Sequence, residues 1–67
     1  MRIINKTTHR ALVSFKGKHY VVSDNCSETL VFPSDSEGNI IDYCEVGGGR
    51  DLSLDEVLED WHVWGAR

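Results

Sequence analysis

One short stretch near the end of the chain has the pattern of an amphipathic helix. Leu54, Val57, Leu58 and Trp61 follow the i, i+3, i+4, i+7 spacing of a single apolar stripe. Such a helix cannot bury its stripe by itself, because the stripe needs an apolar surface opposite it. The sequence therefore predicts that the helix lies across one face of a sheet formed by the preceding residues.

The start of this helix is also specified. Residues 53–56 read Ser-Leu-Asp-Glu, a capping box in which the Ser53 hydroxyl accepts the Glu56 backbone N–H while the Glu56 carboxylate reaches back. Leu52 and Val57 occupy the two positions of a hydrophobic staple, which fixes the angle at which the chain enters the helix.

Alternating and β-branched segments before the helix predict strands. The clearest is a hairpin, in which Ala11, Val13 and Phe15 share one face before a Lys16-Gly17 turn. Because the connections are short, sequential strands are expected to pair antiparallel as a meander. Residues 1–67 are thus predicted to form a single α+β domain, with a small antiparallel β-sheet of about four strands and one C-terminal amphipathic helix packed on one face. The strands are expected at residues 10–15, 19–22, 28–32 and 40–46, with a further short edge strand at 2–5.

Composition narrows the function classes. The 67 residues carry a net charge of −4, and their few lysines and arginines are scattered, which argues against direct nucleic-acid binding. No apolar run approaches the roughly 20 residues that span a bilayer, and the N-terminal residues lack the apolar stretch of a signal peptide. We therefore expect no membrane association and an intracellular location. A domain with so small a core is often stabilised by self-association, so a homo-oligomer is one alternative.

Metal and catalytic patterns are not found in the sequence. Cys26 and Cys44 match no zinc spacing, and an intracellular location predicts that both thiols stay reduced. The acids show no spacing of a general acid/base pair, and no signature of an activated nucleophile accompanies the serines, cysteines or histidines. We expect a protein that is not an enzyme and that has no cofactor and no metal site.

A glycine-rich stretch before the helix is the candidate ligand site. Gly47, Gly48, Gly49 and Arg50 could line an anion site with backbone N–H groups and one guanidinium. The stretch lacks the spacing of a Walker loop and of a dinucleotide fingerprint. A flexible connection between strand and helix, with glycines at positive φ, is the interpretation that we favour.

Aromatic residues are the candidate protein-interface positions. An exposed indole at Trp64 would be an interface anchor, although Trp64 could equally belong to the core. His62 is expected at the surface beside it, and Tyr43 completes the candidate interface set.

Residues 28–35, ETLVFPSD, and residues 38–50, GNIIDYCEVGGGR, resemble a pattern in small phage-encoded proteins of unassigned function. In both, an acid-and-glycine turn precedes a strand, a Gly-Gly-Arg link and a capped acidic helix. The resemblance covers about the C-terminal two-thirds of the chain and transfers no catalytic residue. It implies a viral or prophage setting, in which small accessory proteins often bind and redirect a host protein.

Three functional hypotheses follow. The first is a phage or prophage accessory protein in the host cytoplasm that binds a host or phage macromolecule, for example a host or phage protein, as an inhibitor of a host defence or replication system. The alternative is an oligomeric nucleotide-sequestering or other anion-binding protein that uses Gly47 to Arg50. A minor structural virion protein is the third.

Overall fold

The computed structural model of the protein describes residues 1–25 and 27–60. These residues form a five-stranded sheet in the order β1-β2-β3-β4-β5, in which every neighbouring pair is antiparallel. One short helix, α1, follows the last strand. The elements are β1 Arg2–Lys6, β2 Arg10–Phe15, β3 Lys18–Asn25, β4 Glu28–Ser34, β5 Gly47–Arg50 and α1 Leu54–Glu59. The predicted meander is confirmed, although it has five strands and a helix of only six residues.

The β2–β3 hairpin closes through the predicted two-residue turn. Lys16 and Gly17 both have positive φ, 51° and 77°, which is the backbone of a type I′ turn. Phe15 pairs with Lys18 directly beside the turn, and the register continues to Arg10 and Ser23. The turn therefore sets which residues of both strands share a face.

The helix covers one face of the sheet, which we call the helix-side face. The three apolar residues of α1, Leu54, Val57 and Leu58, are buried there. They contact four buried residues of the central strands: Ala11, Val13, Val22 and Val31. The predicted position of the helix is thus confirmed for the part of the apolar stripe that the structure describes. Trp61, the fourth residue of the stripe, lies outside the described residues.

The capping box forms with one difference. The Ser53 hydroxyl accepts the Glu56 backbone N–H at 3.2 Å, as predicted. The Glu56 carboxylate accepts a hydrogen bond from the Ser53 hydroxyl at 3.3 Å, rather than bonding the Ser53 backbone N–H. Leu52, at the staple position, is half-buried and packs against the core cluster that contains Val57. Within the described part of the chain, no helix has the length and apolar character needed to cross a bilayer.

The strand predicted at residues 40–46 is wrong. Only Ile40 pairs in this segment, through an isolated bridge to Ser34. The Asp42 carboxylate accepts the Cys44 backbone N–H at 3.0 Å, and this local turn competes with strand pairing. The opposite face of the sheet, which we call the loop-side face and which carries Leu12 and Val21, is instead crossed by a loop of residues 35–46.

The glycine stretch predicted as a flexible connection is strand β5. It pairs with the first half of β4, with Gly49 opposite Thr29 and Gly48 opposite Leu30. Thr29 is fully buried, and its hydroxyl donates to the Leu52 carbonyl at 2.6 Å. This bond joins β4 to the segment that leads into α1, so the end of the sheet and the start of the helix are held together.

Candidate protein-interaction surface

The loop of residues 35–46 begins with a turn built around one carboxylate. Asp35 Oδ1 accepts the backbone N–H groups of Glu37 and Asn39, each at 2.9 Å, and Asp35 Oδ2 accepts the Asn39 side-chain amide at 3.1 Å. The bonds from Asn39, backbone first, hold the pKa of the Asp35 carboxyl below its ordinary value. The charged carboxylate therefore stabilises the turn.

The same loop is fastened to the sheet at three places. The Ile41 N–H donates to the Pro33 carbonyl at 3.0 Å, and the Val46 N–H donates to the Val31 carbonyl at 2.8 Å. Before Ile41 the loop crosses the sheet, and Gly38 lies against the side chain of Leu12. The segment has no regular secondary structure, yet its backbone is held at both ends and in the middle.

Three large apolar side chains project from this braced loop, and we call them the loop patch: Ile41, Tyr43 and Val46. Ile41 is 68% exposed and Tyr43 is 75% exposed. The Tyr43 ring contacts the Phe32 ring of β4 with centroids 5.7 Å apart and planes tilted by 56°. This geometry is typical of a favourable aromatic pair, and it positions Tyr43 while leaving most of its surface open.

The loop patch contains only part of the predicted interface. Tyr43 was identified from the sequence, whereas Ile41 and Val46 were assigned to the two faces of a strand. The signal that could have found them is the short-range turn chemistry of Asp42, which removes the segment from the sheet. His62 and Trp64 lie outside the described residues.

The thiol within the loop is poorly suited to chemistry. Cys44 is an exposed free cysteine, and a hydrogen bond to the Asp42 carboxylate, together with its charge, raises the pKa of the thiol. A raised pKa lowers the fraction of thiolate, the reactive form, at neutral pH. Within residues 1–25 and 27–60, no three His, Cys, Asp or Glu side chains are arranged to hold a metal ion. Cys26 lies outside these ranges.

The four residues predicted to bind an anion line one hollow, and two carboxylates line the same hollow. An open hollow beside β5 is lined by residues 47–50 and also by Glu28 and Glu45. Arg50 pairs directly opposite Glu28 in the β4–β5 register. The two side chains therefore share one face of the strand pair, where opposite charges attract each other. The local charge therefore disfavours a phosphate or nucleotide in this hollow.

Comparisons with protein-family models, with curated proteins and with solved structures give no match to this chain. Its function is therefore inferred from its own residues. Of the surfaces that the structure describes, the loop patch combines the largest exposed apolar side chains with a braced backbone.

Proposed function

We propose that this protein is an accessory protein that acts by binding another protein through the loop patch. The observation that carries the proposal is the display of Ile41, Tyr43 and Val46 on a loop that is fastened to the sheet. Large apolar side chains exposed together on one short loop cost solvation free energy in an isolated protein, and they are typical of interaction sites. A mostly exposed tyrosine is among the residue types that anchor protein interfaces.

The bracing of the loop favours binding energetically. A partner that covers a disordered loop must also order it, and this conformational entropy subtracts from the affinity. The Asp35 turn and the backbone bonds of Ile41 and Val46 hold the loop before any partner arrives. Less of the free energy gained by covering the patch is therefore spent on ordering the loop.

The rim of the patch indicates what the partner presents. Asp42 and Glu45 flank Tyr43 in the sequence, and both are exposed. An apolar pocket bordered by lysine or arginine would match an apolar centre with an acidic rim. The resemblance to small phage-encoded proteins adds the setting to the proposal: a host or phage protein in the cytoplasm of the infected cell.

Affinity capture from bacterial lysate tests the proposal. The wild-type protein is compared with the double variant Ile41→Ser/Tyr43→Ser, which removes the apolar surface but leaves the backbone bonds of the loop. The control is Lys16→Ser/Lys18→Ser, which changes two exposed side chains at the β2–β3 turn, away from the loop and from β1. We expect a specific host protein that is retained by wild type and control and lost from the loop variant.

Two outcomes would contradict this function. One is a captured protein that is retained equally by the loop variant, because the patch would then not be its binding surface. The other is micromolar binding of a nucleotide or phosphate compound in calorimetry that disappears in Arg50→Ala, since this would favour the anion-binding alternative at β5.

A further inference from the structure

The outer edge of β1 is an unoccupied sheet edge. Within residues 1–25 and 27–60, β1 pairs only with β2, so the backbone groups on its other side have no strand partner there. Ile3 and Ile4 are 46% and 45% exposed along this edge. Ile3 pairs with the fully buried Val13, so its side chain continues the helix-side face of the sheet.

The first ten residues, which include β1, carry only basic charges. Residues 1–10 contain Arg2, Lys6 and Arg10 and no acidic residue, so all eleven acids of the chain lie beyond them. Lys6 forms an ion pair with Asp55 of α1 at 3.2 Å. Within the described ranges, no salt bridge forms at Arg2 or Arg10, although Glu37 lines the same hollow as Arg10.

The two unpaired guanidinium groups belong to the same side of the sheet. Arg2 pairs with Ser14, and Arg10 lies four residues before Ser14 on β2. Because side chains alternate along a strand, Ser14 and Arg10 share a face, and their Cα atoms are separated by about 13 Å. Both positive charges are therefore on the loop-side face, near the two ends of the edge.

The same charges disfavour a second copy of this chain. If two β1 strands paired antiparallel, the second copy would bring only the basic residues Arg2 and Lys6, and no carboxylate, to the guanidinium groups of the first. The register shift between Ile3 and Asn5 is a bulge or irregularity, which also hinders symmetric pairing. An acidic strand supplies the carboxylates that a second copy of β1 lacks.

We propose that the outer edge of β1 binds an extended acidic segment of a partner protein by strand addition. The segment presents acidic side chains four residues apart on the side of Arg2 and Arg10, and apolar side chains toward Ile3. Main-chain hydrogen bonds to β1 supply affinity, and the two guanidinium groups select the acidic sequence. This edge lies three strands from Phe32, against which Tyr43 of the loop patch packs, so the inference does not rest on the proposed function.

The test uses a fluorescently labelled peptide of about ten residues with alternating glutamate and valine, a length that matches a strand. Fluorescence anisotropy with the full chain should show binding that weakens as salt is added. A peptide with glutamine in place of glutamate should bind about tenfold more weakly, because two exposed ion pairs together contribute of order 1 kcal/mol. Two further peptides carry methyl groups on alternate amide nitrogens, one on the odd and one on the even positions. Only one of the two should lose binding, because a strand donates to its neighbour through every second N–H group.

Charge-reversed variants locate the site. Arg2→Glu/Arg10→Glu should lose binding of the glutamate–valine peptide, whereas Lys16→Glu/Lys18→Glu, with the same change in net charge at the β2–β3 turn, should keep it. Absence of binding to the wild-type protein, equal weakening in both double variants, or unchanged binding of both methylated peptides would overturn the proposal. Concentration-dependent dimerisation that protects the β1 amides from hydrogen exchange would also overturn it, in favour of a second copy. None of these results depends on the Ile41→Ser/Tyr43→Ser variant.

Discussion

Gly48 is the residue whose identity the fold constrains most directly. Its φ is +116°, a region that side chains rarely adopt. A Cβ atom there would lie 2.1 Å from the Thr29 carbonyl oxygen and 2.8 Å from the Leu30 Cα. Both neighbours are backbone atoms of the paired strand, so no side-chain rotation can relieve the overlap. The close approach of β5 to β4 therefore explains this glycine without any ligand.

Gly48→Ala should consequently lower the free energy of unfolding by more than about 2 kcal/mol, since it combines backbone strain with steric overlap. Gly17→Ala is the matched control, because Gly17 also has positive φ but no atom lies within 4 Å of its Cβ position. The control should cost about 1 kcal/mol from backbone strain alone. Chemical denaturation measures both; equal losses would show that β5 does not approach β4 this closely.

Asp35 makes the loop sensitive to acid. Its carboxyl has a pKa below the ordinary value of 3.8 because the charged form accepts hydrogen bonds from Asn39 and Glu37. The stabilisation is therefore present above pH 3.8 and is lost as the pH falls through the lowered pKa. Asp35→Asn keeps one acceptor oxygen but cannot be protonated in this range, so its stability should decline less on acidification.

The measurement is the free energy of unfolding at about pH 6 and about pH 3 for wild type, Asp35→Asn and a Glu37→Gln control. We expect the smallest acid-induced loss in the Asp35 variant. If wild type and Asp35→Asn lose the same amount, the carboxylate does not stabilise the loop through its charge.

Among the elements, α1 depends on its cap more than on its length. A six-residue helix has little intrinsic stability, and its first turn leaves N–H groups without intrahelical partners. Ser53→Ala removes the acceptor for the Glu56 N–H and should cost about 1 kcal/mol. Ser36→Ala, at an exposed loop position, should change stability by less than about 0.5 kcal/mol. Thermal unfolding compares them, and an unaffected Ser53 variant would contradict the role of the cap.

The junction between β4 and α1 depends on Thr29. Thr29→Val keeps the shape of the side chain but leaves the Leu52 carbonyl without its hydroxyl donor in a buried setting. We expect a loss of about 1–3 kcal/mol. The exposed Thr7, whose hydroxyl donates to the Arg10 carbonyl at 3.2 Å, provides the control: Thr7→Val should cost less because water can replace its bond. Equal denaturation midpoints for the two variants would show that the Thr29 bond does not hold the junction.

The elements that the sequence predicted well are those that local chemistry determines. The Lys16-Gly17 turn and the Ser53 cap each depend on residues within a few positions of one another. Strand β5 could not be predicted in this way, because glycines have low strand propensity and their pairing with β4 depends on contacts distant in sequence. The same is true of residues 40–46, whose apolar side chains predicted a strand. In the structure the Asp42 turn replaces strand pairing there, and β5 pairs with β4 instead.

At the scale of the whole molecule, the two faces of the sheet differ: one carries the core and the other supports the loop. Its helix-side face carries the main apolar core, with Val13 and Val57 completely buried. Its loop-side face supports residues 35–46, which present Tyr43 to solvent. The sequence suggested Tyr43 as an interface candidate but did not predict the loop that presents it, since the loop path depends on contacts with Leu12 and Pro33.

The most direct test of the loop patch is a dissociation constant. The protein captured by wild type is purified, and its affinity is measured by calorimetry for wild type, Ile41→Ser/Tyr43→Ser and the Lys16→Ser/Lys18→Ser control. Loss of two interface anchors of at least about 1.4 kcal/mol each should weaken binding by a hundredfold or more in the loop variant. The control should remain within about twofold of wild type, a difference of less than 0.5 kcal/mol. An affinity that is unchanged in the loop variant would contradict the central claim that the loop patch is the protein-binding surface.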